Sequence, residues 1–205
     1  MTTKERRVTL NDVVMTVLSK TIYDYLQKYT EDRTTKSVNM AVPFSLRPPP
    51  TKLGEFTFDN NFAILNLNLR LVDTLGEGIK LISKDMADLK KSMSPISVYY
   101  IMNLCCWMPD AIRNLLLEDY ADKMTFGFSN VPGPKEPYVV CDKKNNGMGF
   151  IMPIARNIVG SFSIISHVDV MKIMISMDKE TMKSTKLITD IFIENMNEML
   201  GGTEW

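Results

Sequence analysis

Apolar residues recur at intervals of three and four from Val13 to Leu26, at Val13, Val14, Val17, Leu18, Ile22, Tyr25 and Leu26. This spacing predicts a helix with one buried face, in which Thr9 or Asn11 caps the first turn and Asp12 sits near its positive end. The pattern then changes to alternation. Val38, Met40, Val42 and Phe44 predict a strand that stops at three consecutive prolines, and Pro43 within it implies an amide that no neighbouring strand needs. Asn60 to Val72 alternates in the same way and predicts a second strand. From Leu75 to Met93 the helical period returns, with Leu75, Ile79, Ile82, Met86 and Leu89 on one face.

Ser94-Pro95 restarts a helix that runs through ISVYYIMNLCCWM to about Trp107 and is apolar all round. Such a helix is expected either inside the fold, hiding its aromatic and sulfur groups, or against lipid with Tyr99, Tyr100 or Trp107 at the surface. Pro109 breaks the run, and DAIRNLLLEDYADKM predicts a short amphipathic helix whose Asp110, Glu118, Asp119 and Asp122 form a solvated face. Short strands are expected at FGFSN, PYVVCD, GFIMPIA, GSFSIISHV and MKIMISMD, with a turn at Lys143 to Gly147. Lys179 to Leu200 predicts a closing helix with Ile188, Ile191, Phe192 and Met199 inward and Gly201-Gly202 as its stop. This order argues for an α/β fold, an α+β sandwich around one open mixed sheet flanked by helices, with residues 1–205 as one unit.

Composition narrows the chemistry. The chain has 205 residues, 45% of them hydrophobic, which suffices for a core. Lys+Arg and Asp+Glu both count 24, so no net field draws the chain to nucleic acid or to an acidic partner. The three cysteines are Cys105, Cys106 and Cys141, no CxxC is present, and His167 is the only histidine. No metal site and no disulfide framework are expected, and a reducing, cytoplasmic setting fits. MTTKERRVTL lacks the apolar core of a signal peptide and no stretch reaches the length of a membrane span. The 16 methionines are scattered over helices and strands and read as adaptable core filler, with a copper-binding cluster as the alternative.

There is no GxSxG, and His167 in SIISHVDV suits a strand histidine satisfied by a neighbour better than a catalytic base. Gly147-Met148-Gly149 follows a polar turn and enters a strand, the wrong context for a nucleotide loop. The stretch that asks for an explanation is Phe128-Ser129-Asn130-Val131-Pro132-Gly133-Pro134. Pro132 pushes Val131 to an extended conformation, and Gly133 before Pro134 can take backbone angles that a side chain forbids. The segment therefore predicts a strand ending in a rigid, non-repeating turn that holds Ser129 and Asn130 with little freedom. An ordinary strand-to-loop junction is the alternative.

TLNDVVMTVL, AVPFSLRP, the helix pair ending in a proline-broken apolar run, FGFSNVPGPKEP and the late ISHVDVMKIMISMDKE resemble the C-terminal half of the wax ester synthase/diacylglycerol acyltransferase (WS/DGAT) family. The resemblance runs from about Val8 to Leu200 in the family's order, and SNVPGP followed by Pro137 is its most specific part. It implies a lobe of the chloramphenicol acetyltransferase-like fold, which pairs two similar lobes across a substrate tunnel. It also implies acyl transfer from acyl-CoA to a fatty alcohol or diacylglycerol, with acyl-CoA as substrate and no cofactor. The family's HHxxxDG motif belongs to the other lobe and is absent from this sequence, so this chain alone should lack the base. By the same resemblance, Ser129 or Asn130 supports the oxyanion, and Arg47 and Gly133 are assigned to substrate binding. Arg47 has the competing role of tying strand to loop by a charged hydrogen bond. Asn11, Asp12, Pro132 and Pro134 are expected to be structural. The expected partners are acyl-CoA, a lipid alcohol or diacylglycerol, an N-terminal catalytic lobe, and a membrane or lipid-droplet surface, but no nucleic acid. The alternative is a non-catalytic lipid-binding or protein-interaction module of the same fold.

Overall fold

The first helix, α1, spans Leu10–Tyr29, and Thr9 is its N-cap. Thr9 Oγ1 accepts from the Asp12 amide at 3.3 Å while Asp12 Oδ2 accepts from the Thr9 amide at 2.7 Å, which closes a capping box. Asn11 is therefore not the cap. The computed structural model describes residues 8–47, 61–134, 136–137, 139–145, 147–154, 157–182 and 184–201. The three prolines after Arg47 lie outside them.

The other elements are β1 (Ser37–Ser45), β2 (Phe62–Arg70), α2 (Leu75–Lys91), α3 (Ser94–Cys105), α4 (Asp110–Asp122), β3 (Phe126–Val131), β4 (Val139–Val140), β5 (Lys143–Lys144), β6 (Gly160–His167), β7 (Val170–Met177) and α5 (Thr185–Met199). Among the described residues the main sheet has five strands in the order β2-β1-β3-β6-β7. β1, β3 and β6 run parallel and the two edge strands run antiparallel to their neighbours. The open mixed α/β sheet is thus present, and the C-terminal ends of the three parallel strands share one edge.

Alternation sends Val38, Met40, Val42, Phe126, Phe128, Phe162 and Ile164 to one face, where they join Val14, Leu18 and Ile22 of α1 and Ile188 and Phe192 of α5 in the core. α1 is the centre of this layer. Ser19 Oγ donates to the Arg70 carbonyl at 2.6 Å and accepts from the Val72 amide at 3.0 Å, so a buried hydroxyl fastens the helix to the end of β2. Asn195 Nδ2 reaches Thr21 Oγ1 at 3.3 Å and Asp24 Oδ2 at 3.1 Å, which ties α5 to α1. The other sheet face carries Asn39, Asn66, Asn68, Gly127, Ser129, Ser161 and Ser163.

Four departures from the sequence reading have physical causes. The apolar run is a helix, but of α3 only Pro95 and Cys105 are buried, while Trp107 is 89% and Tyr100 67% exposed. Burial of this run within the chain is overturned. α4 buries nothing either, and its Leu115 is 68% exposed. The two helices lie beside the edge strand β2, held by the Tyr120 hydroxyl donating to the Ile64 carbonyl at 2.7 Å. The hairpin turn is at Cys141-Asp142, both with positive φ (50° and 61°), so Lys143 and Lys144 are strand and not turn. GFIMPIA is not a strand over its described part, because Met152 spends its amide and carbonyl on the Ser163 and Ser161 hydroxyls across the sheet face. The last helix starts at Thr185, after a turn at Lys179 to Met182 whose Thr181 amide and hydroxyl bond to Asp178. It ends before Gly201, whose φ of +82° stops it.

Candidate functional site

The parallel strands β1, β3 and β6 place Arg47, Asn130 and His167 at or beyond their C-terminal ends. That edge is where open α/β sheets present ligand-binding residues. The first turn of α1 reaches the same edge, because Asn130 Nδ2 donates to Asn11 Oδ1 at 2.5 Å. The residue expected to be a helix cap thus has a different partner, one remote in sequence, and no local signal announced it. Asp12 is 5% exposed; its Oδ2 closes the capping box and its Oδ1 has no hydrogen-bond partner among the described residues.

Ser129 and Asn130 are consecutive in β3, so alternation turns them to opposite faces of the sheet. Asn130 shares the face of Phe126 and Phe128, towards α1. Ser129 shares the face of Gly127 and stands opposite Ser163, where the Met152 segment lies. It is 8% exposed. The structure therefore brings Asn130, Asn11 and Asp12 together and does not add Ser129 to them.

Beyond Val131 the chain runs beside β6. The Gly133 amide donates to Ser166 Oγ at 3.1 Å, and the Val168 amide donates to the Pro134 carbonyl at 3.0 Å. Gly133 is not in the positive-φ region that its place before Pro134 suggested. It is needed for space: a Cβ there would lie 1.7 Å from the Ser166 carbonyl oxygen. Pro132 and Pro134 brace the corner on either side. Arg47 follows β1 with its amide bonded to Ser45 Oγ at 3.4 Å.

Chemically, an asparagine amide carries two N–H donors, and the bond to Asn11 uses one of them while fixing the plane of the other. The N-terminus of α1 adds partial positive charge nearby, which the Asp12 carboxylate partly offsets. The edge suits the stabilisation of a developing oxyanion by a fixed neutral donor.

The family model of the WS/DGAT C-terminal domain matches residues 59–200. This chain belongs to that family. Among solved structures it is similar to the wax ester synthase/diacylglycerol acyltransferase from Marinobacter aquaeolei VT8, with TM-score 0.63 and 18% identity over 98% of this chain and 45% of that one. It is also similar to the epimerization domain from the third module of tyrocidine synthetase B (TM-score 0.58, 10% identity, 97% of this chain and 43% of that one). The starter condensation domain of rhizomide synthetase is a further match (TM-score 0.53, 10% identity, 96% and 44%). Among curated proteins none matches. The WS/DGAT chain thus shares a fold with condensation-type domains and spans less than half the length of each of these three proteins. No helix among the described residues is long and apolar enough to cross a membrane.

Proposed function

We propose that this WS/DGAT chain is one lobe of an O-acyltransferase that moves a long-chain acyl group from acyl-CoA to a fatty alcohol or diacylglycerol. The observation that carries the reading is Asn130, fixed by Asn11 at the C-terminal edge of the parallel strands. A first lobe bearing HHxxxDG supplies the general base. The base takes the alcohol proton as its oxygen attacks the thioester carbonyl, and the free N–H of Asn130 stabilises the oxyanion. As the tetrahedral intermediate collapses, the C–S bond breaks and the CoA thiolate takes the proton back. Arg47 and Gly133 serve the substrate side through their place at that edge. No step calls for a cofactor.

The exposed faces of α3 and α4 extend this reading to lipid. No charged residue occurs from Ser92 to Pro109, and the run ends in Trp107, a ring suited to a lipid–water boundary. Moving each large apolar side chain out of water is worth roughly 1.5–3 kcal/mol. In this reading the protein is cytoplasmic and rests on membranes or lipid droplets, so that an oil-soluble acceptor enters without crossing water. A non-catalytic module of the same fold is the second reading, favoured by the burial of the sole histidine, His167, to 5% exposure.

The test adds palmitoyl-CoA and hexadecanol to the purified chain, alone and with a separately expressed HHxxxDG lobe, and follows thiol release. No turnover alone and turnover with both lobes is expected. Turnover by the chain alone, or a stable two-lobe complex without turnover, overturns the proposal.

A further inference from the structure

β7 is an edge of the main sheet, with β6 as its one neighbour among the described residues. The opposite edge is partly covered, because α3 and α4 lie beside β2 and the Tyr120 hydroxyl donates to the Ile64 carbonyl. Soluble proteins blunt such edges with several charges, a proline, a bulge or a cover. VMKIMISM has no proline, its pairing with β6 runs from Val170 to Met177 without a bulge, and Lys172 is its only charge. An edge of this form is suited to receive another strand.

The backbone decides which residues of β7 can bond outward. The Asp178 amide donates to the Val159 carbonyl at 2.8 Å, one step beyond the pair Gly160–Met177. Asp178 therefore turns its backbone groups towards β6, and so do the even-numbered residues of β7, because alternate residues of an antiparallel pair face alternate sides. Met171, Ile173, Ile175 and Met177 turn their N–H and C=O groups outward. The side chains of Met171, Ile173 and Ile175 line an apolar groove of about 470 Å³ with Phe192, Ile193 and Met196 of α5, and Ile193 is 48% exposed. Lys172 and Asp178 stand on the other face of the sheet. The Lys172 ammonium lies over Gly147 at the end of a flexible stem. The Asp178 carboxyl is held below its ordinary range chiefly by the Thr181 hydroxyl, so it is ionised at neutral pH.

We infer that β7 is a dimerisation edge, pairing antiparallel with β7 of a second copy of this chain about a two-fold axis at Ile175. Only this register sets Lys172 opposite Asp178 of the second copy, and the symmetry repeats the contact at the other end. Ile175 then meets its own counterpart, and on either side Ile173 of one copy meets Met177 of the other. All are outward-facing residues, so each of these pairs exchanges two main-chain hydrogen bonds. Lys172 and Asp178 fall at a position without such bonds, where side chains approach more closely. Backbone polarity, side-chain face and charge thus agree on one alignment, and self-complementarity is what a two-fold interface requires. Five strands from each copy form one sheet, and the two β7–α5 grooves become continuous across the axis. The inference does not rest on the acyl-transfer reading.

Sedimentation velocity of the 205-residue chain at rising concentration should show a reversible dimer. In a mixture of isotope-labelled and unlabelled chains, a carbodiimide should join Lys172 of one copy to Asp178 of the other. Ile175→Pro removes an N–H that the single copy turns away from β6, a change an edge strand tolerates. It should weaken the dimer roughly tenfold or more, since two main-chain bonds at the axis are lost, in a protein that circular dichroism shows to be folded. Lys172→Glu, at an exposed position, should weaken it roughly threefold or more at low salt and less at high salt, and this arm decides if the proline variant does not fold. Trp107→Ser with Leu115→Ser should leave the dimer unchanged. The inference is overturned if the chain stays monomeric, if no cross-link joins Lys172 and Asp178 of different copies, or if folded Ile175→Pro or Lys172→Glu dimerises like the parent. It is equally overturned if the Trp107 and Leu115 changes abolish the dimer, which would put the contact on α3 and α4, or if an HHxxxDG lobe takes the second copy's place at β7.

Discussion

Asn130 Nδ2 donates to Asn11 Oδ1 at 2.5 Å across 119 positions of sequence. One hydrogen bond thereby joins the end of the central strand to the first turn of α1. Replacing either asparagine with alanine should cost about 0.5–1.5 kcal/mol. The double variant should lose less than the sum, because both single changes remove the same bond. Urea denaturation of the four proteins checks this, and full additivity would show that the pair is not coupled.

Gly133→Ala should be more damaging than its size suggests. The new Cβ would meet the backbone of Ser166, 1.7 Å from its oxygen and 3.0 Å from its carbonyl carbon. Backbone in a paired strand cannot swing aside as a flexible side chain would. A loss of about 1–3 kcal/mol is expected, larger than the roughly 1 kcal/mol for Ser166→Ala, which removes only the bond to the Gly133 amide. Equal thermal midpoints for Gly133→Ala and the parent would contradict the close approach.

The two variants also mark the limits of the sequence. α1 was legible because its buried face repeats every three to four residues, and β1 and β2 because alternation matches the pleat. Local patterns also located the end of β3 at Val131. What they could not carry was anything fixed by a distant partner: the Asn11–Asn130 bond, or the Ser166 carbonyl that demands Gly133. The segment around Met152 alternates like a strand, yet its backbone groups are satisfied by serine hydroxyls of β6. The hairpin turn was misplaced because Cys141-Asp142 lacks the Asn-Gly signature of a tight turn with two positive φ angles. For α3, an apolar circumference says that water must be excluded, but not by what.

Asp32 offers a pH test. Its folded pKa of about 2 lies below the ordinary 3.8, so its contribution to stability is present above pH 4 and is lost as pH falls towards 2. The Thr35 hydroxyl is the largest cause, ahead of the Thr34 amide. Thr35→Val should move the Asp32 carboxyl back towards 3.8, read by NMR titration of its side-chain carbon. An unmoved midpoint would show that the hydroxyl does not hold the charge.

Trp107→Ser with Leu115→Ser should leave stability within about 0.5 kcal/mol, since these side chains are 89% and 68% exposed. The same change should reduce flotation with triolein droplets severalfold. Because the run from Ser92 to Pro109 is uncharged, flotation of the parent chain should be nearly equal at low and high salt. Flotation that collapses in high salt would point to charge pairing and not to apolar contact.

The most direct test of the account is the single-turnover rate of acyl transfer by the two-lobe enzyme containing this chain, measured with saturating palmitoyl-CoA and hexadecanol for Asn130→Ala and Ser129→Ala. If Asn130 is the oxyanion donor, its variant should lose about 10²–10³ in the chemical step with little change in substrate affinity. Ser129→Ala, altered on the opposite face of β3, should stay within about threefold of the parent. Equal rates for Asn130→Ala and the parent, or the larger loss in Ser129→Ala, would contradict the account.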